Sequence, residues 1–288
     1  MFSIKFWYKS LSKQAQSSIH AVSFILAILS SALSILGISW NSFECIASIS
    51  IVYRFLFFAV AIFLLWWGIY LFIGKKYRDK IEIPNKQMSI TVTYGDIFEA
   101  PGWRVIGCDT NFRTQVDDYV ISKKSLHGQL VLEHGDADEI KALVESEAKL
   151  LHLKRNENGF FDFPLGSIIR YHSSADKANY LLLAMTELND RYESHTNMEK
   201  YEHMLMKMWK EIDRVHASND IALPLLGNGI TRFDFGPKSE TSLLRCMLCT
   251  LNGSGINLDS NITIFLHSKK HNIPLYEYTD IFRIYPEK

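Results

Sequence analysis

Two kinds of hydrophobic pattern divide this chain. From Ile19 to Trp40 no Asp, Glu, Lys or Arg interrupts the run, and from Ile51 to Ile73 Arg54 alone does. As helices rising about 1.5 Å per residue, both runs match a bilayer core of about 30 Å. From Met88 onward the pattern breaks into short alternating runs and amphipathic stretches, with polar loops between them.

The front of the chain therefore predicts a transmembrane hairpin over residues 19–74, with spans at about 19–40 and 51–73. Arg54 lies near the start of the second span, where its side chain can snorkel to the interface. Trp40, Trp66, Trp67 and Tyr70 sit toward the ends, as interfacial aromatics do. Lys5, Lys9 and Lys13 precede the first span, no basic residue falls in the Asn41–Ser50 connection, and four follow the second span. That bias places both termini of the membrane hairpin in the cytoplasm. Residues 1–18 read either as an interfacial helix on anionic lipid or as a solvated terminus. Small and hydroxyl residues (Ser23, Ala27, Ser30, Ser31, Ser34, Gly37) allow close helix approach, within the hairpin or between chains of a homo-oligomer.

After a linker at 75–87, residues 88–288 predict one cytosolic domain. Strands are expected at Met88–Tyr94, Val105–Cys108, Gly166–Tyr171, Tyr180–Met185, Ile221–Leu223 and Ile262–Leu266. Helices are expected at Leu126–Glu133, Asp136–Leu151, Met198–His216 and Ser239–Leu251, the second with Asp136 and Glu139 as a capping pair. Strands alternating with helices make the class α/β, with a central sheet flanked by helices.

Charge changes the picture in one respect. The chain is balanced at 31 basic and 31 acidic residues, but residues 1–80 hold eight basic and two acidic ones. The surplus of six there leaves residues 81–288 six negative, which disfavours nucleic-acid binding. Cys246 and Cys249 form a CxxC on a predicted helix without a second pair, so buried thiols are expected rather than a metal.

Ligands of α/β sheets sit where loops leave the carboxyl ends of strands. Three such loops are polar here: Gly95-Asp96-Ile97, Cys108–Asn111 and Gly227–Arg232. The last, in the stretch IALPLLGNGITRF, is suited to turn successive backbone N–H groups toward a phosphate. It also fits an ordinary strand-to-helix turn. Asp117-Asp118 reads as a solvated face, and His127 as a core or turn histidine beside Gly128 and Gln129.

GDI after the first strand, an Asn-bearing loop after the second and the P-x-x-G-x-G-I loop resemble the macro domain. With the two spans, and through GCDTNFRTQVDDYVISKKSLHGQL and ALPLLGNGITRF, the whole resembles the membrane-macro effectors of type II Thoeris anti-phage defence. The resemblance implies a macro-like mixed sheet and an ADP-ribose-type nucleotide messenger, in some form amino-acid-modified. It further implies a TIR-domain protein that makes the messenger, and membrane disruption as the output. Carried onto this sequence, Asp96 would accept from the adenine amino group, with the Ile97 backbone beside it. Asn111 would lie near the distal ribose. Gly227, Asn228, Gly229, Ile230 and Thr231 would wrap the diphosphate, and Arg232 would add charge. Asp96 also fits a plain N-cap. Hydrolytic macro domains carry a glycine-rich stretch where this chain has Phe112-Arg113-Thr114-Gln115-Val116-Asp117-Asp118. The reading is thus a receptor without catalytic residues, metal or cofactor; the alternative is a membrane-tethered ADP-ribosyl hydrolase.

Overall fold

The computed structural model describes residues 13–35, 50–76, 80–84, 88–189, 191–229, 231–256 and 258–266. The chain divides into two compact units, with the boundary between Lys80 and Ile81.

The first unit holds two long helices, α1 (Lys13–Ile35) and α2 (Ile51–Lys76), which pack on each other. Both are long and apolar enough to cross a membrane, over Ala15–Ile35 and Ile51–Ile73, with 11% and 0% of those windows buried. The core helix of a soluble protein would hide far more. Among the described residues α1 already runs from Lys13, ahead of the apolar run at Ile19, through residues compatible with helix. The predicted continuation to Trp40, Lys5 and Lys9, and most of the Asn41–Ser50 connection lie outside the described residues. The Ser31 hydroxyl donates to the Ala27 carbonyl at 2.9 Å, so it needs no water.

The second unit is built on a nine-stranded sheet. Its strands are β1 (Lys80–Pro84), β2 (Ser89–Tyr94), β3 (Trp103–Asp109), β4 (Ile168–His172), β5 (Asn179–Leu188), β6 (Ser194–Thr196), β7 (Ile221–Pro224), β8 (Arg232–Phe233) and β9 (Ile262–Leu266). They lie in the order β1-β2-β9-β7-β3-β5-β6-β8, and β4 also pairs with β5. β2, β9, β7, β3 and β5 run parallel, whereas β4 and β6 are antiparallel to β5, which makes the sheet mixed. Three strands were not expected: β1 inside the predicted linker, and the short β6 and β8.

The helices are α3 (Leu126–Gln129, widening into a further turn to His134), α4 (Ala137–Leu150), α5 (Met198–Val215) and α6 (Glu240–Gly253). Alternation assigns the two faces. Ile106 and Cys108 of β3 and Tyr180, Leu182 and Ala184 of β5 share a core with Leu130, Ile140, Val144 and Ala148. The intervening Val105, Leu181 and Leu183 are fully buried too, so the run reads as continuous rather than alternating. α5 packs on β4 and β5 and against α6. It buries Tyr201, Met204, Leu205, Met208, Trp209, Ile212 and Val215 at helical spacing. Trp209 Nε1 donates to Thr250 Oγ1 of α6 at 3.1 Å, which satisfies the one polar atom of a fully buried ring. Cys108 and Cys246 are buried, and burial pushes the Cys246 thiol up to about 12; Cys249, contrary to expectation, is exposed.

Candidate functional site: the carboxyl rim of the sheet

Register brings the carboxyl ends of the parallel strands to one edge: Tyr94 faces Leu266, Pro224 faces Phe265 and Asp109 faces Thr186. Four loops leave this rim, after β2, β7, β3 and β5.

After β2, Asp96 is exposed and caps the short turn Ile97–Glu99, its Oδ1 accepting from Phe98 N at 2.9 Å. Ile97 has a buried side chain, and its N–H meets no acceptor among the described residues. The cap thus uses one carboxylate oxygen, and the other has no partner among the described residues.

After β7, Leu225 N donates to Phe265 O, and Asn228 N closes a turn onto Leu225 O. Tyr201 OH donates to Leu226 O at 2.8 Å, and Asn228 Nδ2 to Glu240 Oε1 at 2.9 Å, so α5 and α6 both hold the loop. Gly227 is left-handed at φ +83°, and a Cβ there would meet the Phe233 ring at 3.1 Å. Only glycine fits. Gly229 is different: it is exposed, and a Cβ would meet nothing within 4 Å. The N–H groups of Gly227 and Gly229 have no acceptor among the described residues. Thr231 is half-buried, and Ile230 lies outside the described residues. Arg232 sits in β8, and its Nη1 is 2.6 Å from Glu193 Oε1, so its charge is already paired.

The loop after β3 is organised around Asp109, which the sequence reading passed over. Its buried carboxylate accepts from Asn111 N at 2.8 Å and Arg113 N at 3.3 Å. Asn111 is buried and donates through Nδ2 to Phe161 O (3.0 Å) and Asp162 Oδ1 (2.6 Å). Its amide nitrogen therefore fastens the 156–162 segment, which leaves the amide oxygen as its free group. His127 is buried, and that burial pushes its pKa down against the opposing effect of the Asp109 charge. Further along, the exposed Asp117 accepts from Val120 N and Tyr119 N, and these amides hold its carboxyl below the usual range. Asp118 accepts from Lys123 N at 2.8 Å. Among the described residues no three His, Cys, Asp or Glu side chains group as metal ligands would.

Two aromatic residues also reach the rim. Phe160, fixed by its N–H on Asn156 Oδ1, and Tyr192, in the turn after β5, lie on the Arg113 guanidinium with Cζ 4.7 Å and 5.2 Å from their ring centroids. A separate polar depression of ≈ 220 Å³, lined by Glu187, His195, Asn197, Lys200 and Asp234 among others, includes none of the predicted site residues.

Thoeris protein ThsA of Bacillus amyloliquefaciens (strain Y2) is 27% identical over 212 residues, 69% of each chain. Among solved structures, an Oceanobacillus iheyensis macrodomain, a glycine-to-valine mutant with ADPR, is 14% identical. It covers 71% of this chain and 97% of its own at a TM-score of 0.50. The same macrodomain with ADP is 11% identical over 71% of this chain and 95% of its own, with a TM-score of 0.48. The family model of the Thoeris protein ThsA macro domain matches residues 90–267, more than half of the sequence. A mixed α/β sheet with this rim is the macro fold, and the chain belongs to the ThsA macro-domain family of Thoeris proteins.

Proposed function

We propose that the rim is the receptor site for an ADP-ribose-type messenger made by a TIR-domain partner, and that its occupancy drives membrane disruption through the helical hairpin. The observation that carries this reading is the order of chemistry along the strands. Asp96 and the Ile97 N–H follow β2, the open amides of Gly227 and Gly229 follow β7, and Asn111 follows β3. β2 and β3 are three steps apart, about 14 Å at about 4.8 Å per step. The sequence acceptor, anion-binding amides, sugar-facing polar group suits a base, a diphosphate and a distal ribose in that order.

The relatives support this assignment: one is a Thoeris protein, and one macrodomain is described with ADPR. Reception rather than hydrolysis is favoured because Asn111 Nδ2 is spent on Phe161 and Asp162, while Asp117 and Asp118 are spent on backbone amides. Two apolar helices with little burial support membrane insertion. Micromolar binding, about 8 kcal/mol, exceeds the few kcal/mol needed to bias an assembly equilibrium of the hairpins.

The test uses the full chain in detergent. ADP-ribose at about 100 times its Kd should stabilise the protein by about 2.7 kcal/mol, seen as a raised thermal midpoint, with the ligand recovered unchanged. Asp96→Ala should diminish that shift. Absence of any shift with ADP-ribose and its adenine-dinucleotide relatives would sink the receptor reading; steady release of free ADP-ribose from an ADP-ribosylated substrate would replace it with the hydrolase.

A further inference from the structure

Arg113 lies on the rim and has no role in the proposed binding of base, diphosphate and ribose. Its guanidinium lies against two aromatic rings, Phe160 at 4.7 Å and Tyr192 at 5.2 Å. Tyr119 meets Tyr192 edge-on at 5.3 Å and extends the wall. Contact with aromatic rings suits a planar cation, and it leaves the in-plane N–H groups as the polar outlet. Nε and Nη1 are both buried, and neither has a hydrogen-bond partner among the described residues. Buried donors, above all charged ones, are rarely left so. Of the two carboxylates four residues away, Asp109 is turned to the Arg113 backbone N–H, and Asp117 accepts from Gln115 Nε2 and the amides of Tyr119 and Val120.

The surroundings are built to keep this arrangement. Phe112 and Tyr192 both take left-handed backbones, at φ +49° and +58°. Bulky residues seldom do so without tertiary support. Phe112 is fixed by its edge-to-face packing on Phe163. Tyr192 is held by a turn in which Asn189 Oδ1 accepts from Arg191 N and Glu193 N at 2.9 Å each. Phe160 and Tyr192 remain about 40% exposed, so the cage opens to solvent on the rim. By strand order it lies at the β3 and β5 end, opposite Asp96.

We propose that Arg113, held by Phe160 and Tyr192, is a subsite for an anionic oxygen group, carboxylate or phosphoryl, at the end of the ligand remote from the base. The proposal rests on the reading of the rim as an ADP-ribose site, and it names Arg113 as the residue that separates plain ADP-ribose from an anionically extended one.

The experiment titrates the full chain in detergent with three probes: ADP-ribose, ADP-ribose 1″-phosphate, and ADP-ribose carrying a carboxymethyl group on the 1″-oxygen. The wild type should prefer at least one charged probe over ADP-ribose by about 10- to 100-fold, the range of a charge-assisted hydrogen bond. Whichever is tighter identifies the anion. Arg113→Met should erase the preference and leave ADP-ribose affinity within about twofold. It should also hold or raise the thermal midpoint of the free protein, because the buried unpaired donors are gone. Arg113→Lys, keeping charge without the planar donors, should retain only part of the preference. If the wild type binds ADP-ribose but ranks all three probes alike, this inference fails and the receptor reading stands. If ADP-ribose itself does not bind, both fall. A lowered midpoint with equal loss for all three ligands would make Arg113 a structural arginine and overturn the assignment.

Discussion

The two glycines of the β7 loop look equivalent in sequence and are not equivalent in space, which gives a paired prediction. Gly227 has φ +83°, and an added Cβ would meet Phe233 Cζ at 3.1 Å and Cε2 at 3.2 Å. Alanine there bears the cost of a left-handed backbone, about 1–2 kcal/mol, and must also push back a ring packed edge-on at 5.4 Å from Tyr201. We expect Gly227→Ala to lose about 2 kcal/mol of stability. At about 2–4 °C per kcal/mol for a domain of this size, the midpoint should fall by about 4–8 °C. Gly229 has an ordinary backbone and open space, so Gly229→Ala should move stability by less than about 0.5 kcal/mol. Yet Gly229 carries an open N–H at the position proposed for phosphate, so Gly229→Val should weaken ADP-ribose binding by crowding the approach. The assay is thermal and denaturant unfolding of the full chain, paired with calorimetric titration. Equal destabilisation by Ala at both sites would refute the geometric argument. A Gly229→Val protein binding at wild-type strength would refute the phosphate assignment.

Two further predictions follow from pairings at and away from the rim. Arg232 is more than half exposed and already paired to Glu193, so Arg232→Ala should cost less than about 1 kcal/mol and change ADP-ribose affinity less than about twofold; a tenfold loss on titration would show that the ligand recruits it from Glu193. His216 closes α5, with Nδ1 at 3.0–3.1 Å from the Ile212 and Asp213 carbonyls and Nε2 2.9 Å from Asp259 Oδ1, acceptors on both sides that call for an imidazolium. Burial opposes that charge, but the bonds to Asp259 and to the carbonyls outweigh it and raise the pKa above its ordinary value near 6.5. A raised folded-state value gives stability that is complete below about pH 6.5 and lost as pH climbs through the folded value. Unfolding midpoints measured from pH 6 to 9 should therefore fall for the wild type more than for His216→Gln, and parallel curves would discard the imidazolium.

What could be read from the sequence was whatever rests on period. β2, β7, β9 and α5 fall within a residue or two of expectation because their apolar spacing is set locally. β6 and β8 are two or three residues long, with no pattern of their own. They exist because His195 and Thr196 pair with Arg232 and Phe233, a tertiary fact. The capping pair at α4 was half legible. Asp136 does cap, accepting from Asp138 N and Glu139 N, but Glu139 turns away to Tyr171 OH at 2.9 Å. At the rim, glycines and an Asn flagged the loops. Arg113 stood out in sequence only as a residue that was not glycine; its meaning needs Phe160 and Tyr192, which approach from two other loops.

Asp109 explains why the rim divides its work as it does. The loops after β3 and β7 both turn backbone amides inward. After β3, the N–H groups of Asn111 and Arg113 are taken by the chain's own carboxylate, which fills that nest with negative charge and repels a phosphate. After β7 no side chain among the described residues does this, and Gly227 and Gly229 leave their amides open there. On the proposed reading, a diphosphate would therefore bind at the β7 loop rather than at the β3 loop. Any second anion on the ligand must find a different cation on the β3 side, and among the described residues of the β3 loop Arg113 is the arginine with buried donors still unpaired. On that reading the internal carboxylate would do for this rim what a glycine-rich stretch does elsewhere by absence of side chains: set where phosphate can and cannot go.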